Sequence, residues 1–396
     1  MLSNPYTPGA GNIPSYLAGR EKLLNDISDQ LNELDAGGIS THTIYYGGRG
    51  VGKTVLINKI EEMVENLSFL YTHIEGDSNT SFIKYIILAC RQFIKKLSLI
   101  ENIKDGINQL KAVLYSFQTT YSINENTVTL GINDDILNKY GDANTGDLSY
   151  DLTSLFCSLG KLACNCQKPV CFFIDEIQSF SKEELSALIT AIHRTNQLHY
   201  PILVIGAGLP TILRQCGDAK SYSERLFSFV EITSLKKEDA TDALVIPAEQ
   251  YQVSIDPLAI DYILDRTGNY PYFIQEYGRI IWRYMDDNRR ISLDSVKIAY
   301  DEYIEKLDTG FFGVRYNRST SAEKKILIAM AKCNKFPCAM SDIVNILGKS
   351  SKTLSPLRNH LINKGLLYAP SYGEIDFTVP KFNEYLQRIN PNLDVD

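Results

Sequence analysis

Apolar positions recur along this chain in two rhythms. Short runs rich in β-branched, aromatic and other apolar residues stand at His42–Tyr46, Phe69–Ile74, Pro169–Asp175, Pro201–Ile205 and Phe229–Ile232, and each predicts a strand. The run Val170-Cys171-Phe172-Phe173-Ile174 has no polar alternation, which suits a strand buried on both faces of a parallel sheet. Between these runs the apolar spacing shifts to three and four. Leu23, Leu24, Ile27 and Leu31 form one helical stripe, and Leu56, Ile57, Ile60, Met63 and Val64 form another within Lys53–Glu65. Ser81–Leu97 carries Ile83, Ile86, Ile87 and Phe93, and Lys182–Asn196 carries Leu185, Leu188, Ile189 and Ile192. Tyr150–Cys164 also reads as helix. Strands alternating with helices predict an α/β domain with a parallel sheet covered on both faces.

The pattern divides the rest of the chain. Residues 1–20 hold Asn4-Pro5-Tyr6-Thr7-Pro8-Gly9 and are expected to run extended over the surface. Residues 98–147 are less regular and read as an insertion, in which Tyr121–Ile132 fits either a hairpin or a loop and Gly141–Asp147 marks a break. After residue 235 the strands stop. Lys236–Leu244, Pro257–Asp265, Tyr272–Met285 and Leu293–Leu307 read as helices of a lid-like subdomain, and Gly310–Arg318 as a linker. The predicted order is thus an α/β domain over 1–235, helices over 236–309, a linker over 310–318 and a last unit over 319–396.

In that last unit Thr320–Lys332 is a helix with Ile326, Leu327, Met330 and Ala331 inward. Ser341–Leu347 is a second, with Ser341 as its N-cap. Lys352–Lys364 is a third, closed by Gly365, with Pro356 near its start where a missing N–H is tolerated. Leu366–Tyr368 and Glu374–Val379 are short strands around Pro370-Ser371-Tyr372-Gly373. Three helices followed by a hairpin predict a winged helix-turn-helix, whose third helix is the one that enters a major groove.

Composition narrows the picture. The chain has 396 residues and a net charge of −7, which excludes polyanion binding by bulk charge. Residues 319–396 differ, with 10 Lys and Arg against 7 Asp and Glu. Lys349, Lys352, Arg358 and Lys364 lie on or beside the third helix, and Ser350, Ser351 and Thr353 have hydroxyls suited to phosphates. Lys349, Lys352 and Arg358 are therefore the candidate contacts to duplex DNA. Winged helices also dock proteins, so that alternative stands beside the first. The eight cysteines form no C-x-x-C pair and read as buried free thiols of a reducing compartment. No apolar run has membrane-spanning length, so a cytoplasmic protein with no membrane partner is expected.

Two stretches carry chemistry. Thr43-Ile44-Tyr45-Tyr46-Gly47-Gly48-Arg49-Gly50-Val51-Gly52-Lys53-Thr54 matches G-x-x-x-x-G-K-[ST], with Gly47, Gly52, Lys53 and Thr54 in the fixed places between a strand and a helix. Glycines there let the backbone curl so that its N–H groups face inward, and with the helix N-terminus they cradle a phosphate. Residues Gly47, Gly48, Arg49, Gly50, Val51, Gly52, Lys53, Thr54 and Val55 are the candidate nucleotide contacts. Lys53 reaches the β- and γ-phosphates, and the Thr54 hydroxyl suits Mg²⁺. The second stretch is Val170–Glu176, an apolar strand ending in two carboxylates. Asp175 is the candidate Mg²⁺ ligand through water, and Glu176 the candidate base for an attacking water. The five histidines make no metal-spaced pair and are read as structural.

The order Leu17-Ala18-Gly19-Arg20-Glu21, Gly47–Thr54, Asp175-Glu176, a further strand and a helical lid resembles an AAA+ or related STAND-type ATPase. The likeness is strongest to origin-recognition-like initiators and their bacterial ATP-binding relatives, and spans nearly the whole chain. It implies a P-loop sheet of order 5-1-4-3-2, ATP or ADP with Mg²⁺ as cofactors, and ATP hydrolysis. It places Tyr16–Arg20 against the adenine, so that Gly19 and Arg20 join the nucleotide contacts. It puts Arg225, in Ser223-Glu224-Arg225-Leu226-Phe227, where an arginine finger serves a neighbouring subunit, implying nucleotide-dependent self-association. Two departures are plain. Gly206-Ala207-Gly208 replaces the polar residue expected after the fourth strand, and Gly268-Asn269-Tyr270-Pro271-Tyr272 lacks the lid arginine, as STAND-type members do. Arg279 lies further on and reads as structural. The resemblance leaves two functions: an ATPase that couples nucleotide state to duplex DNA, or a signalling switch whose winged helix docks protein.

Overall fold

Five strands make the central sheet: β1 (His42–Tyr46), β2 (Leu70–Glu75), β3 (Val170–Asp175), β4 (Ile202–Gly208) and β5 (Phe227–Glu231). All pairs are parallel, in the order β2-β3-β4-β1-β5, the expected 5-1-4-3-2 order read from its other edge. This is a computed structural model describing residues 2–39, 41–77, 80–98, 103–121 and 134–394. β3 is buried along its whole length, as its unbroken apolar run requires. Phe172 stacks on Phe156 at 5.1 Å between centroids and meets Phe93 edge-on at 5.8 Å. Each such fully buried side chain contributes roughly 2 kcal/mol by leaving water. His42 is also buried. Its ring accepts from the Val204 amide at 3.1 Å and faces the Asn196 side chain at 3.1 Å, tying β1 to β4 and to the helix that precedes β4. Burial drops its pKa to about 4, so it stays neutral near neutral pH.

Register places the functional ends of the strands together. Ile44 of β1 and Ile174 of β3 both pair with Gly206 of β4. The chain therefore leaves β1 toward Gly47 and ends β3 at Asp175 on the same edge of the sheet. That edge, beyond the carboxyl ends of parallel strands, is where open α/β sheets bind ligands.

The helices of this part are α1 (Glu21–Asp35), α2 (Lys53–Asn66), α3 (Phe82–Leu97), α4 (Lys104–Thr120), α5 (Asp134–Tyr140), α6 (Leu148–Cys166), α7 (Lys182–Gln197), α8 (Thr211–Ala219) and α9 (Ser223–Leu226). Much of the expected insertion over 98–147 proves integral. Ile107, Leu110, Val113, Leu114 and Phe117 of α4 are buried in the same apolar cluster as Phe172 and Ile174. The hairpin-or-loop expectation for Tyr121–Ile132 falls, beyond Tyr121, outside the described residues. β4 runs to Gly208, three residues past its expected end.

Compact units do not follow the expected linear division. Residues 22–46 and 56–231 make one unit; residues 1–21, 47–55 and 232–396 make the other. The second unit thus contains the glycine-rich loop together with everything after β5. Its first helices are α10 (Lys237–Glu249), α11 (Pro257–Thr267), α12 (Pro271–Ile281) and α13 (Leu293–Leu307), joined by a short parallel pair, β6 (Ser254–Ile255) and β7 (Arg290–Ile291). The amino-terminal segment is not a surface strap. Tyr6 is 2% exposed, donates its hydroxyl to the Leu244 carbonyl and packs on Gly278 and Trp282 of this unit.

The expected linker over Gly310–Arg318 is helical instead. A single wide turn over Asp308–Phe312 runs straight into α14 (Gly313–Asn317), because Phe311 and Phe312 bury their rings against Tyr272, Phe273 and Tyr385. The carboxyl-terminal elements are α15 (Ser321–Cys333), β8 (Cys338–Ala339), α16 (Met340–Leu347), α17 (Ser351–Asn363), β9 (Leu367–Tyr368), β10 (Glu374–Phe377) and α18 (Phe382–Ile389). The three strands pair antiparallel in the order β8-β10-β9. Thr320 and Glu323 form a capping box on α15. Ser341 does not cap α16, which starts one residue earlier with Ala339 in the cap position. Pro356 lies in the second turn of α17 rather than the first, where it removes one helical N–H donor.

The free thiols also need one correction. Cys90, Cys171, Cys216 and Cys338 are buried, whereas Cys164 is exposed. No helix among the described residues is long and apolar enough to cross a membrane.

Candidate active site

The loop Gly47–Val55 leaves β1 and opens α2, as its glycines predict. Gly52 has φ +95°, a conformation that a side chain strains, and it reverses the backbone just before Lys53. Gly48 is required by a close approach: a Cβ there would lie 2.5 Å from the Thr378 carbonyl oxygen. Lys53 is 8% exposed, and its ammonium donates to the Gly47 carbonyl at 3.0 Å and the Gly48 carbonyl at 2.7 Å. The cation is thus aimed back into the curl of the loop, where β- and γ-phosphates are received.

Arg20 acts on this loop from outside the curl. Its guanidinium donates to the carbonyls of Val51 at 3.1 Å, Thr233 at 3.1 Å and Gly19 at 3.2 Å. Burial lowers its pKa, and Asp239 opposes that shift. One of these bonds reaches the loop, at Val51, and the other two fasten the guanidinium to Gly19 and Thr233. Gly19 has φ +65° and abuts the Asp239 side chain.

The carboxylate pair is built on the other unit. Asp175 is 6% exposed at the end of β3, and its Oδ1 accepts from the Glu176 amide at 2.8 Å. Glu176 has φ +49°, a left-handed conformation that costs a non-glycine residue roughly 1–3 kcal/mol and concentrates at functional sites. Gln178, which belongs to no motif, holds the Glu176 side chain in place. Its side-chain nitrogen donates to the Glu176 carboxylate, and its oxygen accepts from the Leu209 amide at 2.9 Å. A Cβ on Gly208 would lie 2.7 Å from that oxygen. The glycines at the end of β4, where a polar residue was expected, make room for Gln178.

The remaining candidates are dispersed. Arg225 is exposed on α9, immediately before β5. Lys349 and Lys352 are exposed, at the turn before α17 and at its start. Arg358 does not share their face. It is half-buried beside the Leu354 and Leu361 stripe, with its Nε enclosed and without a hydrogen-bond partner. Six residues of helix rotate it about 120° from Lys352. Lys364 is engaged at 2.6 Å with the buried Glu323 carboxylate. Ser350 caps α17, accepting from the Thr353 amide at 3.4 Å. The single face of cations expected on the third helix therefore reduces to Lys349 and Lys352. Arg279 pairs with the buried Glu276 on its own helix, as a structural residue does.

The motif, the sheet order and the edge it presents define a P-loop ATPase, and comparison agrees. Residues 16–205 match the AAA ATPase domain family, and residues 309–386 match a domain family of unknown function. The matched stretch, residues 16–205, is an AAA ATPase domain with a P-loop, which makes the chain an ATP-hydrolysing enzyme. No curated protein matches the sequence. Among solved structures, the chain is similar to the Walker-type ATPase of Pyrococcus abyssi at 16% identity and TM-score 0.54, over 94% of this chain and 96% of that one. It is also similar to the Aeropyrum pernix Orc1 protein in complex with DNA, at 15% identity and TM-score 0.45 over 96% and 94% of the two chains. A third is the Thermotoga maritima RuvB Holliday junction branch migration motor, at 17% identity and TM-score 0.45 over 96% and 99%. At 16% identity the likeness to the Pyrococcus abyssi ATPase speaks for the fold alone.

Proposed function

We propose that this ATPase is a nucleotide-dependent switch whose carboxyl-terminal domain, a winged helix, is wired directly to the phosphate loop. One observation carries the reading: the Arg49 amide of the loop donates to the Thr378 carbonyl at 3.2 Å. Thr378 is 3% exposed and held by its own hydroxyl, which donates to the Gly365 carbonyl at 2.7 Å. The Arg49 guanidinium lies against Gly365, so both backbone and side chain of this loop residue touch the same domain. A loop that rearranges to receive phosphate moves those contacts with it. In this reading Gly47–Val55 hold the phosphates of ATP or ADP. Thr54 and Asp175 supply oxygen donors suited to Mg²⁺, a hard cation that takes one or two protein ligands beside phosphate oxygens. Bound there, Mg²⁺ would neutralise charge on the phosphates. Glu176 orients and deprotonates the attacking water. Arg225, exposed before β5, is available to a neighbouring subunit's phosphate and so to self-association.

Hydrogen exchange tests the wiring. The amides between Leu366 and Thr378 should change protection between the ADP-bound and ATP-bound protein, with ADP and a non-hydrolysable ATP analogue as the two probes. Identical exchange in both states would remove the switch.

A second reading, in which the winged helix engages duplex DNA, is favoured by the exposed Lys349 and Lys352 at the start of α17. Phosphate contacts make binding steeply salt-dependent. A duplex titration across salt concentrations should give a negative slope that flattens by about two units when both lysines become alanine, one per lost contact. If the parent binds no duplex at low salt, the domain docks protein.

A further inference from the structure

Tyr270 stands at the start of α12 in the unit that contains the phosphate loop. It is 2% exposed, and its hydroxyl has no hydrogen-bond partner among the described residues. A buried hydroxyl left unpaired loses its hydration with nothing in return, so its retention asks for a ligand. The ring lies on the loop. Its Cε1 is 3.1 Å, and its hydroxyl 3.5 Å, from the place a Cβ on Gly50 would take. The hydroxyl is also 3.7 Å from the corresponding place on Gly48. Gly48 is the residue whose carbonyl receives the Lys53 ammonium, and that lysine serves the β- and γ-phosphates. The free hydroxyl therefore stands against the stretch of the loop that Lys53 engages.

Arg315 comes to the same place from α14. Its guanidinium sits 3.8 Å from the Phe311 ring centroid and donates to the Phe311 carbonyl at 2.6 Å. Phe311 stacks on Tyr272 at 4.7 Å, and the Tyr272 Cβ is 3.3 Å from the place of a Cβ on Gly50. No carboxylate among the described residues pairs with Arg315. Burial lowers its pKa, and the neighbouring Arg49 lowers it further. Both guanidiniums oppose the rise that burial gives the Tyr270 phenol. A largely buried cation without a counter-charge, beside a second cation and an unsatisfied hydroxyl, is a setting that an anion completes.

We propose that Tyr270 and Arg315 read the terminal phosphate within the same chain, Tyr270 donating its hydroxyl to a γ-phosphate oxygen and Arg315 supplying the charge. This rests on Gly47–Thr54 being the nucleotide's phosphate cradle. It deepens the switch by naming what distinguishes ATP from ADP. Arg315 follows the wide turn at Asp308–Phe312 and precedes α15 by a few residues, so a pull on its guanidinium is a pull on the entry to the carboxyl-terminal domain.

Dissociation constants for ADP and for a non-hydrolysable ATP analogue, measured on the full chain, test the proposal. Tyr270→Phe keeps the ring and removes only the hydroxyl. It should weaken the ATP analogue about tenfold, the scale of one hydrogen bond to a charged group, and leave ADP within about twofold. Arg315→Gln should do the same to a larger extent, and Arg315→Lys should recover part of the loss. Equal weakening of both nucleotides would mean that the two residues only pack the loop, and unchanged binding of both would mean that they do not reach the phosphate; either overturns the proposal. If a folded parent binds neither nucleotide, the cradle reading itself is wrong and this proposal falls with it.

Discussion

Lys53→Ala should lower affinity for ATP and ADP at least a hundredfold while leaving the protein folded. The ammonium is the one charge of the loop committed to the interior of the curl, where it donates to the carbonyls of Gly47 and Gly48. Those bonds are local, between residues five and six apart, so their loss costs the fold about 1–3 kcal/mol out of a typical 5–15. For the nucleotide the loss is greater, because the interior of the curl would keep only neutral N–H donors where it had a cation. Calorimetric titration together with a thermal melt separates the two effects. Parent-like affinity in a folded variant would refute the assignment of the loop, and an unfolded variant would refute the claim that this lysine is dispensable for folding.

Glu176→Gln should bind ATP as the parent does and turn it over roughly a hundredfold or more slowly, the usual scale for losing a general base. The substitution keeps size and shape, and the strained left-handed backbone at this position is unaffected by it. Gln178 is the reason geometry survives: it braces residue 176 on one side and the Leu209 amide on the other. Steady-state phosphate release is the readout. A parent-like rate would place the base elsewhere. Asp175→Asn serves as the contrast, since a lost metal ligand is partly offset by raising the magnesium concentration and a lost base is not.

Local chemistry was legible where it is local. The strand Val170–Asp175 and the glycine-rich loop declare themselves because burial on both faces and a reversed backbone each restrict residue type at fixed spacing. The sheet order followed from the resemblance, and pairing with β4 at Gly206 bears it out. What escaped reading depends on partners distant in the chain. Tyr6 looks like part of a proline-rich strap until Leu244 and Gly278 are beside it. Gly310 and Gly313 suggest a linker, yet Phe311 and Phe312 bury themselves and force a helical turn. Ile107, Leu110, Val113, Leu114 and Phe117 do recur at helical spacing, so α4 was readable and was obscured by the irregular residues around it. Arg358 counts as basic in any tally of charge, but its angle on α17 removes it from the exposed face. Tyr270 and Arg315 carry no motif at all. Their signal is an unanswered hydroxyl and an unanswered charge, and both are visible only in three dimensions.

The discontinuous unit has a consequence for how the protein is made. The nine residues Gly47–Val55 belong with residues 232–396, yet synthesis delivers them first. The last sheet strand, Phe227–Glu231, is complete well before Thr378 is added. At about 5–20 residues per second, the loop waits some tens of seconds on the ribosome for the carbonyl that will receive the Arg49 amide. During that interval the nascent chain can carry a finished sheet and a phosphate loop whose carboxyl-terminal contacts are not yet synthesised. Nucleotide already present in the cell therefore has the first opportunity to occupy the loop, and the carboxyl-terminal domain must form against whatever state it finds there.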